Sequence, residues 1–487
     1  MYKFERYRQL GLTDFDQPTG LKMDPQNRWV RKAATIPWEA IEEKYAELFP
    51  SDTGMPAKAL RTALGSLMIQ KQYGYSDREL LEQIKENPYY QYFIGLPGYQ
   101  SHQPFVPSLL VEFRKRLNDD VLMEINEMII AYNTPDDPGP DDGGNVPDKT
   151  PAGTENSGTM ILDATCALQN ISYPQDINLL NEARENLEAL IDSICYDYNY
   201  HKPRMYRENA RKDYLNLAKC KKRTAKKIRK AIKQQLQYIR RDIGYVEAFQ
   251  ADGVELAPKQ AARLSVVYKV YEQQQYMYEN NTHSVPDRIV SISQPYIRPI
   301  VRGKAAAPVE FGAKLDLSID ENGMARLEKL SFDAYNESDV LIGAIERYRE
   351  RTGYYPERAL ADKIYRNRDN LAYCKLHGIR LSGPRLGRPK KGAAADKKME
   401  YIDNADRVEV ERLFSLAKRC YGLGRIMTKL DVTTRSSIAL SILVMNVARI
   451  GSRPLCQILK SLFSRYKQQD FVLFCMQHSH RNRLVVY

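Results

Sequence analysis

The chain has 487 residues, of which 43% are hydrophobic and 28% charged, with a formal net charge of +12. That length and apolar content support two or three domains with real cores, and the positive excess points to a polyanion, most commonly nucleic acid. Seven scattered cysteines without a CxxC pair argue against a disulfide framework and for a reducing compartment. MYKFERYRQL has no signal-peptide pattern, and the longest apolar stretch, Ser437 to Ile450, is short for a bilayer and reads as a buried core helix. The expectation is a soluble, cytoplasmic protein without a membrane partner.

Residues 1 to about 37 are polar with scattered aromatics and give no clear fold. From Trp38 the apolar spacing is helical, through Ile41, Tyr45 and Leu48 and then Pro56 to Tyr73. Ser76 with Glu79 forms a capping-box pattern for a helix to about Lys85, and Val111 to Ala131 reads as one further helix. This all-helical region is either a plain bundle or a helix-turn-helix-like DNA reader. Asn133 to Gly158 is rich in Pro, Gly and Asp without periodicity, which marks a linker.

Thr159 to Ala164 reads as a short buried strand ending in Asp163. A helical tract follows from about Leu179 to Asn280. Its centre, Lys219 to Arg241, holds no acid, and Lys221, Lys222, Arg223, Lys226, Lys227, Arg229 and Lys230 are its candidate phosphate contacts. Strand signals return at Arg288 to Val301 and Val309 to Ser318, with a turn at Asp320 to Gly323 and a hairpin partner at Ala325 to Phe332. Ser338 to Arg351 is helical, Glu357 to Asp362 a short strand, Asn367 to His377 a helix and Ile379 to Ser382 a strand. Gly383 to Lys398 is a basic loop with Arg388 and Lys390 as DNA-contacting candidates; it lacks the ending of a P-loop. The pattern is an α/β sheet layered with helices.

The helix at Asp406 to Leu423 places Arg407, Glu411 and Lys418 within about 40° on a helical wheel. Val408, Val410, Leu413, Leu416, Ala417 and Tyr421 fill much of the rest, so the helix is expected to be largely buried around that stripe. Alone, such a stripe is commonly a solvated face. Asp163 and Asp362, each at the end of an apolar strand, can share one crevice beyond the sheet with Glu411. Three carboxylates there need cations, and hard divalent ions suit oxygen ligands. Asp316, Asp320 and Asp339 read instead as turn or cap residues. Glu409 lies off the polar stripe, and Asp369 sits within a polar helix rather than ending a strand. Tyr196, Tyr198 and Tyr200 read as packing aromatics, and Cys475, His478 and His480 are too few for a zinc site.

Arg407-x3-Glu411-x6-Lys418 resembles the third-acid signature of DDE transposases of bacterial insertion sequences. DATCALQNISYPQD from Asp163 resembles the family's first-acid strand, RPIVRGK and EFGAKLDLSID its next strands, and ALADKIY its second-acid segment. PAKALRTALGSLMIQKQYGYSDRELLEQI and FVPSLLVEFRKRL resemble its helical N-terminal domain. Two positions depart from the pattern: Asn404 stands where the signature has tyrosine, and Ile364 where glycine is frequent.

The resemblance implies a ribonuclease H-like α/β catalytic domain at 159–178 and 307–450. A mostly helical basic insertion at 179–306 would lie between its first and second strands. A helical N-terminal DNA-binding domain at 1–132, a linker at 133–158 and a C-terminal tail at 451–487 complete the expectation. It also implies Asp163, Asp362 and Glu411 as catalytic acids and ligands of two Mg²⁺ ions, replaceable by Mn²⁺. Arg407 and Lys418 are the implied phosphate contacts. The expected partner is double-stranded DNA, as terminal inverted repeats and target, engaged by a homodimer in the nucleoid. Cleavage and strand transfer are the implied reactions, with an inactive DNA-binding derivative as the alternative.

Overall fold

In KLDLSI, within the strand Val309–Ile319, Leu315, Leu317 and Ile319 alternate with Lys314, Asp316 and Ser318. Alternate residues point to opposite faces, so this one strand carries an apolar row and a polar row. The computed structural model describes residues 11–16, 22–47, 57–134, 155–301, 309–383 and 394–464, with side chains over 398–452 in the last segment. The strands are β1 (Thr159–Leu168), β2 (Arg298–Val301), β3 (Val309–Ile319), β4 (Ala325–Ser331), β5 (Arg358–Leu360) and β6 (Arg380–Leu381). They form one mixed sheet in the order β2-β3-β1-β5-β6, with β4 also paired to β3. β1 runs antiparallel to β3 and parallel to β5, and β5 parallel to β6.

The hairpin β3–β4 closes through the expected Asp320–Gly323 turn, where the Gly323 amide donates to the Asp320 carbonyl at 2.8 Å. Gly323 has φ +74, a left-handed conformation that favours glycine, whereas the Arg449 guanidinium that a Cβ there would meet is the mobile end of a long side chain. A register shift lies between Asp316 and Leu317 on the β4 side. The strand expected over Arg288 to Val301 is confined to its last four residues, β2.

Among the described residues, seven helices precede the sheet: α1 (Arg28–Ala34), α2 (Trp38–Ala46), α3 (Leu60–Tyr73), α4 (Asp77–Glu86), α5 (Pro88–Phe93), α6 (Leu109–Arg116) and α7 (Asp119–Tyr132). Ser76 caps α4 by accepting the Glu79 amide at 3.2 Å. The single helix expected over Val111 to Ala131 is two. Asn118 accepts the Val121 amide at 2.9 Å, and Asp119 and Asp120 occupy the first turn of α7. An Asn cap followed by two acids is a helix start, and it breaks the apolar periodicity that spans it. The Pro/Gly/Asp stretch lies mostly outside the described residues, as do residues 465–487.

Between β1 and β2 run α8 (Asp176–Asp197), α9 (Arg207–Ala218), α10 (Ala225–Ala251) and α11 (Pro258–Glu279). They enclose a core of their own, with Leu180, Leu187, Ile191, Ile239, Val246, Val267 and Val270 buried together. The basic run is not one helix: α9 stops at Ala218, and Lys221, Lys222 and Arg223 lie in the connection to α10, which Thr224 caps. Among the described residues no helix is long and apolar enough to cross a membrane.

One face of the sheet is covered by α12 (Leu341–Thr352) and α13 (Arg368–Leu376), packed on Met160, Leu162, Ala359 and Ala361. The other meets α14 (Ala394–Cys420) and α15 (Asp431–Ser464), packed on Ile161, Ala167, Leu315, Leu317 and Leu360. α15 serves two cores at once. Ile438, Ile442 and Met445 belong to the sheet's core, whereas Leu440, Leu443, Val444 and Val447 pack with α1 to α7. A helix apolar around most of its circumference must be buried on several sides.

A buried amide network joins the three parts. Asn446 on α15 donates to Asn126 Oδ1 on α7 and to the Ala325 carbonyl, each at 2.8 Å, and accepts the Ala325 amide at 3.0 Å. Asn446→Ala strands the Ala325 amide in an apolar setting. The expected loss is about 1–3 kcal/mol of stability, read as a lower urea midpoint.

Candidate active site

β1 and β5 are parallel, with Ile161 opposite Leu360. Two residues beyond that pair, Asp163 in β1 and Asp362 in the segment leaving β5 lie within electrostatic reach of one another and of Arg407 on α14. Asp163 does not end its strand, as the sequence suggested. β1 continues to Leu168 because β3 pairs with it as far as Leu168 opposite Gly312. The crevice is made by β5, which stops at Leu360.

Asp163 accepts its neighbour's amide, Ala164 N, at 2.8 Å. Burial pushes its carboxyl up to about 6; the Ala164 amide and Arg407 oppose the shift, and Asp362 and Glu337 add to it. Asp362 is 54% exposed at its side chain and caps the short 3-10 turn Lys363–Tyr365 by accepting the Lys363 amide at 2.7 Å.

α14 crosses these acids with its polar stripe toward the sheet. Arg407 Nη1 lies 3.7 Å from Asp362 Oδ1, and its buried Nε takes no hydrogen-bond partner among the described residues. Eleven residues on, Lys418 Nζ donates to Thr165 Oγ1 of β1 at 2.8 Å. Arg407 and Lys418 therefore reach the sheet from this stripe. They lie along the margin of the arc formed by Val410, Leu413, Phe414 and Ala417, all buried in the sheet's core. The expectation of a largely buried helix is corrected on the far side, where Val408 is 42% and Leu416 40% exposed. Glu409 is turned away, ion-paired to Arg449 at 2.7 Å.

Glu411 is exposed and takes no ion-pair or hydrogen-bond partner among the described residues. Nor do any three Asp, Glu, His or Cys side chains there gather closely enough to hold a metal ion. The structure thus brings Asp163 and Asp362 together around Arg407 and leaves Glu411 apart from them. Two adjacent carboxylates, one raised by burial and by the other's charge, still suit a hard cation, since Mg²⁺ is commonly held by one or two carboxylates with substrate phosphate and water.

Asp316, expected as a turn residue, is instead a fully buried carboxylate in β3, opposite Ala164 of β1. It accepts from Tyr365 Oη at 2.6 Å and from Tyr335 Oη, and burial raises its carboxyl above the usual range despite these bonds. Glu337, paired to Lys314 at 2.9 Å, also lies within electrostatic reach of Asp163. The alternation of polar residues along β3 was the available signal for Asp316; nothing local marks Glu337. Of the basic candidates, Lys221, Lys222, Arg223, Lys226, Lys227, Arg229 and Lys230 are all exposed and form no salt bridge among the described residues. Arg388 and Lys390 lie outside them.

Residues 359–448, which take in Asp362, Arg407, Glu411 and Lys418, match the transposase DDE domain family. Residues 20–116, which contain α1 to α6, match the transposase domain family DUF772. Two separate segments of the chain are thus similar to transposase domain families. The chain is also 32% identical, over 103 residues, to the uncharacterized protein ORF8 in the nfe locus of Rhizobium meliloti. That alignment covers 21% of this chain and 49% of the relative, so the chain spans about half the length of the curated protein it matches. No solved structure matches. A transposase DDE domain implies a ribonuclease H-like α/β fold and use of a divalent metal ion, and the mixed sheet with helices on both faces is compatible with that fold.

Asp163 offers a test that needs no DNA. Its folded-state value lies above that of an exposed aspartate, so the unfolded chain releases the proton first as pH rises. Metal-free stability therefore falls between about pH 4 and about 6, and the penalty is complete above that. Asp163→Asn removes it. In EDTA the variant is expected to exceed wild type by about 1–3 kcal/mol at pH 8 and to match it near pH 4, measured by thermal denaturation.

Proposed function

We propose that this chain is a transposase that cuts DNA at the terminal inverted repeats of its own insertion sequence and joins the freed ends to a target. The observation that carries the reading is the meeting of Asp163, in β1, with Asp362, just past the end of β5, under Arg407 of α14. Asp163, Asp362 and Glu411 are the proposed ligands of two Mg²⁺ ions, for which Mn²⁺ can substitute. Held there, the ions would supply activation of the attacking oxygen and charge stabilisation of the leaving one. In the first step water attacks a phosphorus, the bond to the 3′-oxygen breaks and that oxygen leaves as a hydroxyl. In the second, the 3′-hydroxyl attacks a target phosphodiester and displaces another 3′-oxygen. Each step exchanges one phosphate ester bond or hydrolyses it, so no nucleotide cofactor is needed.

The protein's own part is positioning. Arg407, whose Nη1 lies 3.7 Å from Asp362 Oδ1, suits a phosphate oxygen near Asp362, and Lys418 suits one near Thr165. On this reading α8 to α11 are an insertion in the catalytic domain, residues 1–132 a helical DNA-binding domain, and the DNA-bound species a homodimer. Lys226, Lys227, Arg229 and Lys230 stand in the first turns of α10, where the helix macrodipole disfavours cations and a phosphate backbone would relieve the strain.

A plasmid carrying the chain's own gene with its flanking DNA provides the substrate. With Mg²⁺, wild type is expected to nick it at the element ends, whereas Asp163→Ala, Asp362→Ala and Glu411→Ala bind but do not cut. Cleavage by all three variants would refute the assignment of the acids. Replacing Lys226, Lys227 and Lys230 by alanine is expected to weaken binding to duplex DNA and to reduce the slope of log K against log salt by about 2–3.

A further inference from the structure

The hydrogen bond between Tyr365 and Asp316 links two places that the chemistry above does not connect. Asp362 starts the turn Lys363–Tyr365 and faces α14, whereas Tyr365 ends it, wholly buried, among residues on the α12 face. The turn thus carries the chain around the end of β5 from one face of the sheet to the other. In the order β3-β1-β5, a side chain at the end of β5 can reach β3 only by passing over β1. The β1 residue opposite Asp316 is Ala164, next in sequence to Asp163, and its small side chain leaves the path open.

The far end of the turn is held from several directions. The Tyr365 carbonyl accepts from Asn370 Nδ2 at 2.8 Å, and Arg366 Nη1 donates to the carbonyls of Leu381 at 2.8 Å and Ser382 at 2.6 Å. Among these, the Tyr365 hydroxyl alone ties the turn to β3, and through β3 to the strand that carries Asp163. Burial and the Asp316 carboxylate both push the phenol's ionisation upward, so it remains a donor. Asp316, having no exposure, cannot itself touch substrate.

We propose that Asp316 is a positioning residue which, through Tyr365, sets Asp362 against Asp163 for binding a divalent cation. This rests on the transposase reading above. It is tested on the full chain without DNA by titrating Mn²⁺ and following the free ion by electron paramagnetic resonance, alongside thermal denaturation. Tyr365→Phe removes one hydroxyl and is expected to weaken Mn²⁺ binding by about 10–100-fold, the usual cost of losing an outer-shell partner. Tyr335→Phe removes the other phenol from Asp316 without touching the turn, and is expected to lower the melting temperature while keeping wild-type Mn²⁺ affinity.

With DNA, Tyr365→Phe is expected to need more Mg²⁺ for half-maximal cleavage. Wild-type Mn²⁺ affinity in Tyr365→Phe, or losses in both variants that simply follow their melting temperatures, would overturn the inference alone. A wild type that neither binds Mn²⁺ nor cleaves would overturn the transposase reading, and this inference with it.

Discussion

The parallel pairing of β1 with β5 is the constraint on which the rest depends. β1 is held on its other edge by the long antiparallel β3, so its position is fixed before β5 contributes three residues. Because β5 is so short, the chain leaves the sheet just after Leu360, and Asp362 emerges beside Asp163 rather than continuing a ladder. A longer β5 would fill the crevice with backbone. A different register by one residue would send Asp362 to the α12 face, since side chains alternate.

α14 then supplies the electrostatics. Two neighbouring carboxylates repel, and burial of Asp163 makes the repulsion costlier. Arg407 offsets part of it from the helix above, while Lys418 fastens the same helix to Thr165. The long, flexible arms of these two residues explain how a polar stripe can reach the sheet from the edge of an apolar arc. Glu411 has a shorter side chain, lies farther from the arc's centre on the wheel, and stays in solvent.

Much of this was legible in the sequence because its signals are local. The hairpin announced itself through Asp320 to Gly323 and the α4 cap through Ser76. What was not legible depends on partners distant in the chain. The length of β1 past Asp163 follows from β3, and the burial of Asp316 follows from being covered on both faces. Val408 and Leu416 are apolar, yet among the described residues no element packs over them. The split between α6 and α7 was written in Asn118, but the apolar period continues across it and masks the cap. Lys221, Lys222 and Arg223 share composition with α10 without sharing its helix.

The separation of β1 from β3 by four helices has a consequence for biosynthesis. At about 5–20 residues per second, the ribosome completes β1 on the order of ten seconds before its antiparallel partner is available. During that interval an apolar strand waits with both edges open, which is the situation that favours misassociation between nascent chains. The helices made meanwhile bury their own core, with Leu180, Ile191, Ile239 and Val267 inside it, so the delay is spent building a folded body rather than a slack loop. Closing the β1–β3 ladder then joins two ends already brought nearer by that body, which lowers the entropy that a bare connection of the same length would forfeit.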